Sequence, residues 1–312
     1  MPRIVLAAAL LLLCAEAARA DDFKTCASGA PDYAIMACTN LIEGGKLDTR
    51  QQAIAYTNRG VAFRIRGGLQ RALADLNHAI ELDSSLAPIY ANRGLVYQYM
   101  GEPDPALADF NRALELDPNN AVFYLNRGAV YQRLKDKNHA LADYDRAIEL
   151  QPNNAMAYTN RGVLYELEGE HERAIMDFDH AIELDPKLAK AYANRGASYL
   201  RKGKVDPALA DFDRAIELQP QSPEAFAGRA QANLTKGLAA KALPDVEQAL
   251  SLDPNDPFAH DMRAHILAAL GRRNEAIAAY KKALAIKPDL QESVQGLNAI
   301  LRGSASTAPA KR

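Results

Sequence analysis

Apolar residues along this chain recur three, four and seven positions apart, the spacing that gathers them on one stripe of an α-helix. From Ala53 to Leu290 the stripes come in pairs. In six of the seven pairs the first stripe carries an aromatic at the same place (Tyr56, Tyr90, Tyr124, Tyr158, Tyr192, Phe226). The second carries two alanines seven apart, from Ala72 and Ala79 through to Ala276 and Ala283. A glycine between the stripes (Gly67, Gly101, Gly169, Gly203, Gly237, Gly271) ends the first helix, with Lys135 in that place once, and a proline such as Pro118 or Pro186 stops the second. No stretch alternates with period two, so the pattern predicts an all-α protein built from helix pairs.

The pairs fall on a fixed ruler. Asn58-Arg59-Gly60 returns as Asn92-Arg93-Gly94, Asn126-Arg127-Gly128, Asn160-Arg161-Gly162 and Asn194-Arg195-Gly196, each 34 residues after the last, and two weaker copies follow at Gly228-Arg229-Ala230 and Met262-Arg263-Ala264. A second aromatic column (Phe63, Tyr97, Tyr131, Tyr165, Tyr199) keeps the same step. Two helices per 34 residues, with small residues facing large rings, resembles the tetratricopeptide repeat. The resemblance covers seven units: 53–86, 87–120, 121–154, 155–188, 189–222, 223–256 and 257–290. It departs from the usual family pattern in placing Arg, where that pattern has Leu, just before the Gly. It implies a right-handed solenoid of antiparallel helix pairs, whose first helices line a concave face suited to a protein or peptide partner.

Both ends need closing. Gly29-Ala30-Pro31-Asp32-Tyr33-Ala34 echoes Gly101-Glu102-Pro103-Asp104-Pro105-Ala106, so 21–52 reads as a truncated helical cap with about four extra residues before the next unit. Cys38 falls in the column of Leu76 and Phe110, and Cys26 ends the preceding helix, so the two are placed to face each other as a disulfide. Two free buried thiols are the other reading; Cys-x-x-Cys spacing for catalysis is absent. At the far end Leu290, Val294, Leu297, Ile300 and Leu301 predict an amphipathic capping helix over 291–301, and 302–312 reads as a disordered tail. At the start, a short basic segment, the apolar run Ile4–Ala15 and Ala18-Arg19-Ala20 read as a signal peptide over 1–20, cut after Ala20. The run is too short to span a membrane. Leu13 stands before Cys14, where a lipoprotein signal needs a small residue. The expected location is periplasmic or secreted, in a bacterial setting, with no integral membrane segment after cleavage.

Composition then narrows the function. The 312 residues carry a net charge of −2, which becomes −3 without Arg3, Arg19 and Glu16, so there is no electrostatic footprint for nucleic acid. Phosphate-loop, metallopeptidase, nucleophile-elbow and zinc spacings are all missing, and no cofactor is implied. Three columns remain. Arg59, Arg93, Arg127, Arg161, Arg195 and Arg229 each have an Asp sixteen residues on: Asp75, Asp109, Asp143, Asp177, Asp211 and Asp245. These predict structural ion pairs, with either the same unit's Arg or the next unit's, or else an anion-binding row. Asn58, Asn92, Asn126, Asn160 and Asn194 lie on first helices. A regular row of amides, each donating and accepting, suits the backbone of an extended peptide, although each can also bond its own surroundings. The rest of the groove, including Val61, Arg64, Tyr99, Ala129, Arg133, Val163, Glu166, Ala197, Leu200 and Arg201, is small and mildly apolar. It lacks the Lys beside Asn that clamps a terminal carboxylate in chaperone-binding members. The expected protein is a non-enzymatic adaptor holding a protein or extended peptide in its groove. The alternative is a structural subunit of a cell-envelope assembly, docked through its convex face or ends.

Overall fold

The structure is a computed structural model that describes residues 21–305, with side chains through 302. The expected leader, 1–20, and residues 306–312 of the expected tail lie outside the described residues. All regular secondary structure among the described residues is helical. The chain divides into two compact bodies, the first ending at Pro152 and the second starting at Asn153.

The first body opens with α1 (21–28) and α2 (Pro31–Glu43). Three antiparallel pairs follow: α3 (Thr49–Ile65) with α4 (Leu69–Leu82), α5 (Ala87–Met100) with α6 (Pro103–Leu116), and α7 (Ala121–Arg133) with α8 (Lys137–Leu150). The extra residues before the first repeat become an additional turn at the start of α3. Asp48 caps that turn by accepting the Gln51 N–H, while Gln51 accepts the Asp48 N–H in return. First helices end by a left-handed residue: Gly101 has φ 78°, its N–H reaches the Gln98 carbonyl and the Glu102 N–H reaches Tyr97. Lys135 closes α7 with the same two bonds at φ 61°, a conformation that costs an L-residue roughly 1–2 kcal/mol. The first body's core is made where helices approach most closely. A Cβ on Gly128 would stand 2.8 Å from the Tyr144 ring, so only glycine lets α7 close on that side chain, which is itself fully buried beside Ala140 and Ala147. Cys26 and Cys38 form a disulfide. Their sulfurs sit in a small cluster with Ala37, Leu41, Leu47 and Ala55, so the bridge ties α1 to α2 where the cap has little apolar surface of its own.

The second body comprises the pairs α9 (Ala155–Leu167) with α10 (His171–Leu184), α11 (Ala189–Arg201) with α12 (Val205–Leu218), α13 (Pro223–Thr235) with α14 (Ala239–Leu252), and α15 (Pro257–Ala269) with α16 (Arg273–Ile286). Its first helices start on side-chain caps where a suitable residue stands: Asn154 accepts from Met156 and Ala157, Ser222 from Ala225, and Asp256 from Phe258. The last helix, α17 (Gln291–Ala305), packs Leu297 and Ile300 against the cluster of Leu267, Ala276 and Tyr280, and leaves Gln291, Glu292, Gln295 and Asn298 exposed. It runs four residues beyond the 301 end that the apolar pattern suggested. Gly303, Ser304 and Ala305 carry no apolar side chain large enough to mark a stripe, so the pattern fades before the helix does.

Candidate functional site

The arginine column is the most regular polar feature. Arg59, Arg93, Arg127, Arg161, Arg195 and Arg229 each grip the Asp sixteen residues on in a two-pronged fork, Nε to Oδ2 and Nη2 to Oδ1, with every distance between 2.6 and 2.9 Å. The pairing is therefore within each repeat. All six aspartates are buried, and the partner Asp raises the already high pKa of Arg59, Arg93, Arg127, Arg195 and Arg229 chiefly through these hydrogen bonds. The two aromatic columns flank the guanidinium: Arg127 lies 5.5 Å from the Tyr124 ring centre and 6.0 Å from that of Tyr131. A third prong reaches backwards. Nη1 donates to Thr39 from Arg59, to Asn77 from Arg93, to Asn111 from Arg127, to Asp179 from Arg195 and to Asp213 from Arg229. Each arginine named here thus ties its own second helix to the preceding one. These groups leave no cationic fork open to a ligand.

The asparagine row divides into two kinds. Asn58 Nδ2 lies 3.9 Å from Cys26 Sγ, and Asn92 Nδ2 donates to the Pro88 carbonyl one turn back at 2.8 Å. Asn126, Asn160 and Asn194 have side chains with no hydrogen-bond partner among the described residues, and Asn194 Nδ2 is shielded from solvent as well. All five are half-buried on first helices. A buried donor left unpaired costs about 1–3 kcal/mol, and Asn194 Nδ2 is such a donor among the described residues.

Around Asn194 the first-helix face of the second body carries further polar groups. Glu166 accepts from Ser198 Oγ at 2.6 Å and from His171 Nδ1 at 3.0 Å, and its other oxygen faces Arg201 Nε at 3.1 Å. Ser198 Oγ also lies 3.2 Å from the Asn194 carbonyl, and Ser198 and His171 each contact Glu166 and not each other. Beyond them lies an open hollow of about 410 Å³ between α11, α13 and α15. In the first body Arg64 stacks over the exposed Tyr99 ring at 5.6 Å. Among the described residues no group of three His, Cys, Asp or Glu is placed to hold a metal ion, and no helix is long and apolar enough to cross a membrane.

Sequence reasoning missed the third prong. Its signal was present as the second position after each Asp, in Asp75-Leu76-Asn77, Asp109-Phe110-Asn111, Asp177-Phe178-Asp179 and Asp211-Phe212-Asp213. Those positions sit on exposed or half-buried surface, where a polar residue attracts no notice until the fork's unused nitrogen is seen beside it.

Comparison with known proteins places the architecture. A profile of the tetratricopeptide repeat matches residues 87–120, 121–154, 155–188 and 189–222, and a second profile of the same repeat matches 257–290. Together they cover more than half of the chain. No curated protein matches. Among solved structures the chain is similar to a tetratricopeptide repeat protein from Parabacteroides merdae, 22% identical, over 81% of this chain and 99% of that one, with a TM-score of 0.62. It is similar to a chain of the APC/C hetero-tetramer Cut9-Hcn1, 17% identical, over 86% of this chain and 52% of that one, with a TM-score of 0.74. It therefore spans about half the length of that protein. It is also similar to PilW, a widely conserved type IV pilus biogenesis factor, 24% identical, over 69% of this chain and 98% of that one, with a TM-score of 0.61. At these identities the likeness is one of fold.

Proposed function

The chain belongs to the tetratricopeptide repeat family, and on that premise we propose that it is a non-enzymatic scaffold whose first helices hold a protein partner by an extended peptide segment. The observation that carries this reading is that the first helices of each body carry amides without a hydrogen-bond partner, Asn126 in the first body and Asn160 and Asn194 in the second. An extended peptide presents alternating carbonyls and N–H groups, and a side-chain amide meets both. The arginines favour the same reading by being fully committed to aspartates, since this leaves the amides as the recurring polar groups still free to bond. The scaffold is proposed to act outside the cytoplasm. The leader-like residues 1–20 and a disulfide whose two cysteines are buried support export to an oxidising compartment, periplasmic or secreted.

The rival arrangement is a cell-envelope subunit that docks through its second helices. A pair of photo-crosslinking residues separates the two. Leu167 on first helix α9 and Met176 on second helix α10 are each 69% exposed, so p-benzoylphenylalanine at either site samples solvent equally. Crosslinking in cells should yield a discrete adduct from position 167 and none from 176. An adduct from 176 alone would transfer the function to the outer face.

A further inference from the structure

Two arginines of the first body stand outside the ladder. Arg64, in the last turn of α3, and Arg133, the last residue of α7, have no carboxylate within ion-pair distance among the described residues. Each ladder arginine, by contrast, holds one. Both free arginines reach the end of α5, which touches α3 and α7. The Arg64 guanidinium lies 5.6 Å from the centre of the Tyr99 ring, and Arg133 Nη1 donates to the Gln98 carbonyl at 3.0 Å. Of the Arg64 side-chain nitrogens only Nε is shielded from solvent, and none has a hydrogen-bond partner among the described residues. Arg133 and Tyr99 are exposed. Neighbouring positions on the same helix stripes, Val61, Leu95, Ala129 and Gln132, bring no charge.

Resting on the peptide-scaffold reading, we propose that Arg64, Arg133 and the Tyr99 ring receive an acidic stretch of the partner segment, so that the first body reads carboxylate side chains as well as backbone. Charge complementarity carries the proposal. Two guanidiniums converge on consecutive residues of α5, and the chain sets no anion against either. The helix-end carbonyl that Arg133 meets carries only partial negative charge and takes one of its five donors. A guanidinium fork fits a planar carboxylate with two prongs, the geometry that the ladder repeats six times in this chain. In an extended segment side chains two residues apart, about 6.6 Å, point the same way, so acids at alternate positions face both arginines. The exposed Tyr99 ring sets an apolar surface beside the charge, which favours a peptide side chain over a free ion. The contact needs no chain end, because the carboxylates come from side chains. A row of amides alone would read only backbone; a charged mark beside it selects which segment the groove accepts.

The test uses the mature chain with labelled tyrosine rings and asparagine side-chain amides, titrated at low salt with two blocked hexapeptides, N-acetyl-(Glu-Ala)3-amide and N-acetyl-(Gln-Ala)3-amide. The acidic peptide should shift the Tyr99 ring and bind about three- to tenfold more tightly than its amide twin, the margin of two exposed ion pairs, and salt at about 0.5 M should erase that margin. Arg64→Gln with Arg133→Gln should remove the margin at matched circular dichroism. Arg66→Gln takes away a cation already paired with Asp32 and should leave it. Equal affinities for the two peptides, no binding of the acidic one, a silent Tyr99 ring, or a margin that survives the double variant would overturn the proposal. Inorganic phosphate that moves Tyr99 as far as the acidic peptide at equal concentration would overturn it in favour of a general anion site. Equal binding of both peptides with a shifted Asn126 amide would strike the acidic mark and leave the scaffold reading standing. That reading fails separately, by the absence of an adduct from position 167. Where the double variant does not fold, the two-peptide comparison and the Tyr99 shift on the unaltered protein decide the matter.

Discussion

Asp143→Asn cuts one rung of the arginine ladder in the first body with almost no change in volume. Asp143 is only 6% exposed at its side chain and accepts both Arg127 Nε at 2.8 Å and Nη2 at 2.6 Å, while Arg127 is 20% exposed and also donates to Asn111. Removing one partner of a buried pair typically costs 3–5 kcal/mol, because the other charge stays behind uncompensated. Here the amide oxygen keeps one bond, Asn111 keeps another and a fifth of the guanidinium still meets water. The expected loss is therefore about 2–3 kcal/mol. Asp32→Asn is the control: its partner Arg66 sits 3.0 Å away on open surface, with side chains 67% and 60% exposed, and such pairs contribute roughly 0–1 kcal/mol. Urea unfolding followed by circular dichroism should show a clearly lower midpoint for Asp143→Asn than for Asp32→Asn at an unchanged slope. The double variant Arg127→Met with Asp143→Leu should recover most of the loss, since neither charge is then stranded. Equal midpoints for the two Asp→Asn variants would refute the claim that the column sets helix register, and would make it a solvated face.

Three further outcomes are expected. Protein isolated from an oxidising compartment should begin at Asp21 by mass spectrometry and show no free thiol, and Cys26→Ser should cost about 3 kcal/mol for a closed loop of about a dozen residues; two titratable thiols in exported material would count against the staple. Lys135→Gly relieves the one non-glycine left-handed residue among those described, and should raise stability by roughly 0.5–1 kcal/mol in the same urea assay, with no gain if the strain is absent. The hydrogen bond to Asp261 raises the pKa of His265, so its stabilisation is present in full below the ordinary imidazole value near 6.5 and fades as pH rises through the raised folded value; His265→Gln should lower the thermal midpoint more at pH 5.5 than at pH 8.5, and an equal loss at both would exclude the linkage.

The helix pairs were legible because their causes are local. The 34-residue ruler, the mid-repeat glycines and the alanine columns all act within one hairpin, and the structure puts the helices where those signals lie. The Arg–Asp spacing was legible as a pair but ambiguous in partner, since sixteen residues forward and eighteen back bring an Asp equally level with an Arg. Geometry resolves it: Nε and Nη2 fit one carboxylate side by side, and the remaining Nη1 points at the preceding second helix, where Asn77, Asn111, Asp179 and Asp213 meet it. The asparagines resisted reading for the opposite reason. Five identical residues in identical motifs differ in what surrounds them, because Asn58 meets the cap's sulfur and Asn92 turns to its own helix, while Asn126, Asn160 and Asn194 find no hydrogen-bond partner among the described residues. Such differences belong to rotamers and neighbours, and a repeat pattern averages over both.

The central claim is that the unpartnered amides hold the partner. Once the adduct from position 167 identifies that partner, a peptide spanning its crosslinked segment can be titrated against the unaltered protein and against the triple variant Asn126→Ala, Asn160→Ala, Asn194→Ala at matched circular dichroism. Each lost amide removes about 0.5–1.5 kcal/mol of net hydrogen bonding, so the account predicts a fall in affinity of more than about tenfold with the fold intact. Unchanged affinity at unchanged helicity would contradict it.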